Sequence, residues 1–263
     1  EYKDGLMEGL WEYQYWGGEK WKSGHYAQGK KTGVWTFWFE NGKKLMEGAF
    51  KQDEEEGVWQ SWYETGKLKD QGSYSGGKMS GKWEGWYPNG VKNYEGQWAI
   101  LSKSSKFFDQ QAKLTPLDGV SYPVAASDEV RTATWKFWNE RGKLQQLVTY
   151  NAEGVMNGPS ETYTPNGFLE SRGNYKLAKP EGKWEYYQDS GAPLRTCAYK
   201  NGKMHGKSVT YGRNGRVSEE ATYKNGKMEG EYIQYDEKTG KVKQRAIFRD
   251  GRIVEQKEGM PGK

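Results

Sequence analysis

Glycine returns every 24 residues in this chain, at Gly9, Gly33, Gly57 and Gly81, and again at Gly158, Gly182, Gly206 and Gly230. A fixed period of this size marks a repeat array, and it constrains the fold because equivalent residues must then occupy equivalent environments. With each anchor glycine as position zero, position two reads Trp11, Trp35, Trp59, Trp83, Ser160, Trp184, Ser208 and Tyr232. Position five reads Gln14, Trp38, Trp62, Trp86, Tyr163, Tyr187, Tyr211 and Tyr235. Position fifteen is small (Gly24, Gly48, Gly72, Gly96, Gly173, Cys197, Ala221), and position seventeen is aromatic from Tyr26 to Tyr223. Between the two runs Ala133 anchors a degenerate unit, with Trp135, Trp138, Gly142, Val148 and Tyr150 in matching places, so nine units are expected. Tyr2-Lys3-Asp4-Gly5-Leu6-Met7-Glu8-Gly9 parallels Tyr223-Lys224-Asn225-Gly226-Lys227-Met228-Glu229-Gly230, so the natural protein is expected to extend upstream.

Each unit reads as a β-hairpin. Its first strand is aromatic-rich, which suits a pleated, half-buried surface. Asn41-Gly42, Asn89-Gly90, Asn166-Gly167 and Asn214-Gly215 supply one turn, and Asn201-Gly202 and Asn225-Gly226 the turn into the next unit. No stretch carries a sustained helical period of apolar residues. The small residue at position fifteen leaves bare backbone on which a neighbouring ring can lie, so position two is expected to pack there. Only 34% of the 263 residues are hydrophobic while 15% are aromatic, so rings must replace an aliphatic core. The expected fold is all-β, an elongated single-layer antiparallel β-hairpin solenoid, with one continuous repeat domain made of residues 1–98, an insert over 99–132, and residues 133–263.

The segments Gly33-Val34-Trp35-Thr36-Phe37-Trp38-Phe39-Glu40-Asn41-Gly42-Lys43-Lys44 and Tyr199-Lys200-Asn201-Gly202-Lys203-Met204-His205-Gly206 resemble MORN repeats, most of all the bacterial MORN-variant group often described as toxin–antitoxin antitoxins. The resemblance covers nearly the whole chain outside the insert. It implies rods of consecutive hairpins and roles in scaffolding, protein interaction, dimerisation and lipid binding. It also implies a bacterial envelope or exported location, with the cytoplasm as the alternative. Choline-binding hairpin repeats are a weaker match, because their period is shorter.

Catalytic signals are sparse. His25 and His205 occupy different repeat positions, and the single cysteine, Cys197, fills a packing slot. No Cys–His pair, metal-ligand spacing or phosphate-binding loop is recognisable, so neither enzyme activity nor a cofactor is expected. Glu40, Glu64 and Glu140 share position seven and are expected to face rows of lysines in solvated ladders. A net charge of +5, well mixed along the chain, gives no nucleic-acid face.

The aromatic rows carry the functional reading. Positions two and five point to opposite faces of a strand, and a single sheet cannot bury both. The candidate binding residues are therefore Trp38, Trp62, Trp86, Trp138, Tyr163, Tyr187, Tyr211 and Tyr235, with a structural stacking role as the alternative. Phe107 and Phe108 are candidates in the insert, which reads either as a surface loop or as a functional elaboration. Lysines at the hairpin ends either protect the sheet or meet anionic groups. A protein partner or self-association is the first expectation, a glycan or anionic lipid headgroup is the second, and an antitoxin-like or enzyme role dependent on the insert is the third.

Overall fold

The computed structural model describes residues 1–101 and 128–258, which excludes Phe107 and Phe108. Among the described residues every regular element is a β-strand. The chain divides into two compact units, Glu1–Gly142 with Ala152–Gly154, and Lys143–Asn151 with Val155–Lys263.

The first unit opens with a small hairpin, β1 (Tyr2–Lys3) and β2 (Leu6–Met7). A meander follows: β3 (Gly9–Gln14), β4 (Lys20–Ala27), β5 (Lys30–Trp38), β6 (Lys44–Lys51), β7 (Glu54–Trp62), β8 (Leu68–Ser75), β9 (Lys78–Trp86), β10 (Lys92–Ile100) and β11 (Glu129–Trp138). Each strand from β3 onward pairs antiparallel with the next. The second unit holds β12 (Leu144–Tyr150), β13 (Met156–Tyr163), β14 (Leu169–Lys176), β15 (Lys179–Tyr187), β16 (Pro193–Lys200), β17 (Lys203–Met204), β18 (Gly206–Tyr211), β19 (Val217–Lys224), β20 (Lys227–Tyr235), β21 (Val242–Arg249) and β22 (Arg252–Glu258). These too pair in sequence order, with β16 meeting both β17 and β18. Among the described residues the first and last strands of neither unit pair, so neither sheet closes on itself.

The two Asn-Gly sites of a repeat do different work. At Asn41-Gly42 only the glycine has positive φ, 78°. Its N–H donates to the Phe39 carbonyl at 3.0 Å, and the Asn41 side-chain oxygen accepts from Lys43 N–H at 3.0 Å. At the linker end both residues are left-handed, as at Asn201 (φ 51°) and Gly202 (φ 80°), the tight two-residue turn that matches strand twist. The anchor glycines also have positive φ, and Ala133 keeps that conformation (φ 56°) despite its Cβ.

The core forms where the spacing of small residues predicts it. A Cβ placed on Gly24, Gly48, Gly72, Gly96 or Gly173 would fall inside the indole of Trp35, Trp59, Trp83, Trp135 or Trp184, the position-two residue of the following hairpin. Trp35 is fully buried and Trp59 and Phe50 are 7% exposed. Position-seventeen rings meet these indoles edge-on; Tyr26–Trp35 and Phe50–Trp59 have centroids 5.1 and 5.0 Å apart. Each of these five position-two indole N–H groups is satisfied by the carbonyl just past the small residue, as Trp59 Nε1 is by Ala49 O at 3.1 Å. Where position two lacks a tryptophan, the slot is filled from the other side. Val148 faces Ser160 and Ala221 faces Tyr232. Cys197 fills the same slot before Ser208. Val148, Ser160, Cys197, Ser208 and Ala221 are all buried.

Candidate binding face

The face opposite the indoles carries three parallel rows in the first unit. The outer row is position one: Leu10, Val34 and Val58 precede the half-buried Trp11 and the buried Trp35 and Trp59 and so point away from them. They are 56%, 61% and 67% exposed, and Lys82 ends the apolar run in the fourth repeat. The middle row is a polar ladder of directly opposed residues, Glu12, Ser23, Thr36, Glu47, Gln60, Gln71, Glu84, Glu95 and Lys136. Thr36 Oγ1 donates to Glu47 at 2.9 Å, Gln60 to Gln71 at 3.2 Å, and Gln71 to Glu84 at 3.3 Å. Lys92 ties Glu84 (2.7 Å) to Glu95 (3.0 Å), and Lys136 reaches Glu95 at 3.2 Å.

The inner row is position five. Trp38, Trp62, Trp86 and Trp138 are half-buried. Lys20 lies 5.8 Å from the Trp38 ring, Lys44 5.5 Å from Trp62, and Lys92 5.9 Å from both Trp86 and Trp138. In the second unit Tyr163, Tyr187, Tyr211 and Tyr235 are likewise half-buried. Tyr163 donates its hydroxyl to Glu161 and Tyr187 donates to Glu185, each two residues back on its own strand. Burial and then the Glu161 bond push the Tyr163 phenol up to about 12.

The ion pairs hold carboxylates charged. Glu84 is brought down to about 2, first by the hydrogen bond from Lys92 and against the effect of burial. Glu185 falls to about 2 through Lys183 and then Arg172.

Two features differ from the sequence expectation. Among the described residues no ion pair joins Glu40, Glu64 or Glu140 to a lysine. The Lys43 ammonium instead donates to the Thr65 carbonyl at 2.9 Å, and Asn41 and Asn89 donate to the main-chain carbonyls of Glu64 (3.0 Å) and Glu140 (2.8 Å). Exposed turn carbonyls lack strand partners, and flexible side chains from the preceding hairpin reach them first. The charged ladder lies instead along the strands. The position-one row was missed, although reading Leu10, Val34 and Val58 down the 24-residue period gives it directly. Among the described residues no three His, Cys, Asp or Glu side chains are grouped as a metal site requires.

These features define a β-hairpin repeat protein with an aromatic core face and an amphipathic outer face. The family described as MORN repeat variant matches four segments, residues 31–52, 55–75, 131–152 and 204–225. The first two coincide with the β5–β6 and β7–β8 hairpins, and the last with β18 and β19. No curated protein matches the chain. Among solved structures, a mutant TarM from S. aureus aligns at 10% identity with a TM-score of 0.27, over 39% of this chain and 20% of that one. The TcdB2-TccC3-Cdc42 structure aligns at 10% identity with a TM-score of 0.21, over 97% of this chain and 14% of that one. The chain thus spans a fifth or less of these solved chains.

Proposed function

We propose that this protein is a non-enzymatic binding module that holds a protein partner on the outer face of its first unit. One observation carries the reading: Leu10, Val34 and Val58, each more than half exposed, recur on every second strand of one face, with His25 and Ala49 between them, beside a hydrogen-bonded polar ladder. Exposed apolar runs rimmed by polar residues mark interaction sites. Here the strands hold the row rigid, so little entropy is lost on docking. Trp38, Trp62 and Trp86 border the same face and supply the ring contacts that dominate interface energetics. An antitoxin role would be one instance of this reading.

Val34→Lys with Val58→Lys tests it by extending the Lys82 pattern into the second and third repeats. Capture from native lysate by the wild-type chain should fall at least tenfold in the double variant, with the β circular-dichroism spectrum unchanged. Equal capture would remove this face from consideration. A glycan is the second reading, supported by the Gln60–Gln71–Glu84 ladder running beside tryptophans about 10 Å apart, two strand spacings. Loss of binding in Trp62→Ala with Trp86→Ala, but not in the valine variant, would favour it.

A further inference from the structure

The core face of the first unit has a second row of cross-strand neighbours: Tyr13, Lys22, Phe37, Met46, Ser61, Asp70, Gly85, Tyr94 and Phe137. Large side chains fill it except at the centre, where Ser61, Asp70 and Gly85 lie side by side. The phenol end of Tyr94 lies over bare Gly85, beside Asp70. Tyr74 is four residues along the same strand and shares that face; its ring meets Trp59 at 6.0 Å and Trp83 at 5.3 Å. Tyr63 crosses the start of β8 to donate its hydroxyl to Trp86 O at 2.7 Å. The result is a half-buried carboxylate framed by aromatic rings. Asp70 makes no ion pair among the described residues, and Ser61 Oγ is enclosed without a partner.

The repeat itself shows what such a place holds. Two residues before the anchor stands Lys31 in one repeat, with its ammonium 5.4 Å from the Trp35 ring and 4.6 Å from Phe50. Before Ala133 the equivalent residue is Arg131, 4.7 Å from Trp135 and 5.4 Å from Phe137. Before Gly57 it is Glu55. Here the built-in cation is replaced by an acid. Burial first, then the charges of Glu55 and Asp70, raise the Tyr74 phenol above its ordinary value. The rings around Tyr74 therefore sit in a negative field.

We propose that Tyr74, Tyr94, Asp70 and Glu55 form a binding site for an organic cation, a guanidinium or alkylammonium group supplied from outside where Lys31 and Arg131 supply one from within. Ring faces attract such groups, and the two carboxylates add charge that water alone does not match. The same chemistry is presented by an arginine or lysine side chain of a bound protein and by a free quaternary amine. The site lies on the face opposite the Val34–Val58 row and does not depend on it.

The test is titration of the full chain with N-acetylarginine amide, N-acetyllysine amide and tetramethylammonium, with sodium as the control, following tyrosine and tryptophan ring resonances. Saturable shifts confined to Tyr74, Tyr94 and their neighbours are expected for at least one organic cation. Affinity should fall at least tenfold in the near-isosteric pair Asp70→Asn with Glu55→Gln. Glu55→Lys, which restores the Lys31 pattern, should abolish binding while the fold is kept. Preference for the arginine amide identifies a protein side chain as the source; equal or tighter tetramethylammonium binding identifies a free amine. No saturable shift with any organic cation, or equal affinity in the charge variants, overturns the proposal. Val34→Lys with Val58→Lys should leave this binding unchanged, so the two readings fail separately.

Discussion

Replacing Gly48 by valine should break the contact between two hairpins, and replacing Trp59 by serine in the same chain should partly mend it. The Trp59 indole lies where a Gly48 side chain would stand, so Gly48→Val must expel it. Trp59 is 7% exposed. A buried tryptophan hides roughly 150–250 Å², worth at most about 4–6 kcal/mol at 25 cal/mol/Å². Local relaxation brings the expected loss to about 3 kcal/mol. Trp59→Ser alone should cost about 3–5 kcal/mol, because it opens a cavity and leaves the Ala49 carbonyl without its indole donor. The double variant recreates the buried Val148–Ser160 pairing, so its cost should fall short of the sum by about 2 kcal/mol or more. Native-state hydrogen exchange of the β6 and β7 amides reads this locally and does not require all-or-none unfolding of the array. Additivity within about 0.5 kcal/mol would refute the idea that the small residue and the ring occupy one shared slot.

Two further outcomes follow from the same structure. Ala133→Gly relieves a left-handed alanine (φ 56°) and should stabilise the first unit by about 1 kcal/mol, seen as a raised thermal midpoint; an unchanged or lower midpoint contradicts the strain. Glu84, held near 2 by Lys92 against an ordinary 4.5, contributes stability that is complete above the ordinary value and lost as pH falls towards 2. Glu84→Gln should therefore lower the urea midpoint at about pH 6 and flatten its decline between about pH 5 and 2. A decline as steep as that of the wild type would place the acid sensitivity elsewhere.

The period exposed most of the fold because hairpin packing is local. A glycine at position fifteen and a ring at position two announce one contact, and the buried Trp35, Trp59 and Trp83 make it. What stayed hidden depends on orientation. Both kinds of Asn-Gly turn look alike as letters, yet Asn41 acts through its side chain and Asn201 through a left-handed backbone. The lysines of the hairpin ends were read as partners of carboxylates, but a carbonyl within reach is as good an acceptor for Lys43. The position-five rings lie on the face opposite the indoles, as alternation along a strand predicts. How far they are roofed by Lys20, Lys44 and Lys92 follows from side-chain length and sheet curvature, which a one-dimensional pattern does not contain. Leu10, Val34 and Val58 escaped notice because aliphatic residues beside a tryptophan look like ordinary strand composition.

The turn-end bonds between hairpins set where the array tolerates new chain. Tyr15 reaches Trp38 O and Tyr63 reaches Trp86 O, each across 23 residues, while Tyr87 makes the same bond to Trp138 O across 51. Asn89 likewise reaches Glu140 O across 51 residues where Asn41 reaches Glu64 O across 23. The extra length enters at the opposite end of the hairpins and leaves these latches closed. Foreign loops grafted at Gln28-Gly29 or Gly76-Gly77 would enter the same permissive end, so the scaffold can gain cargo there without losing step between its neighbours.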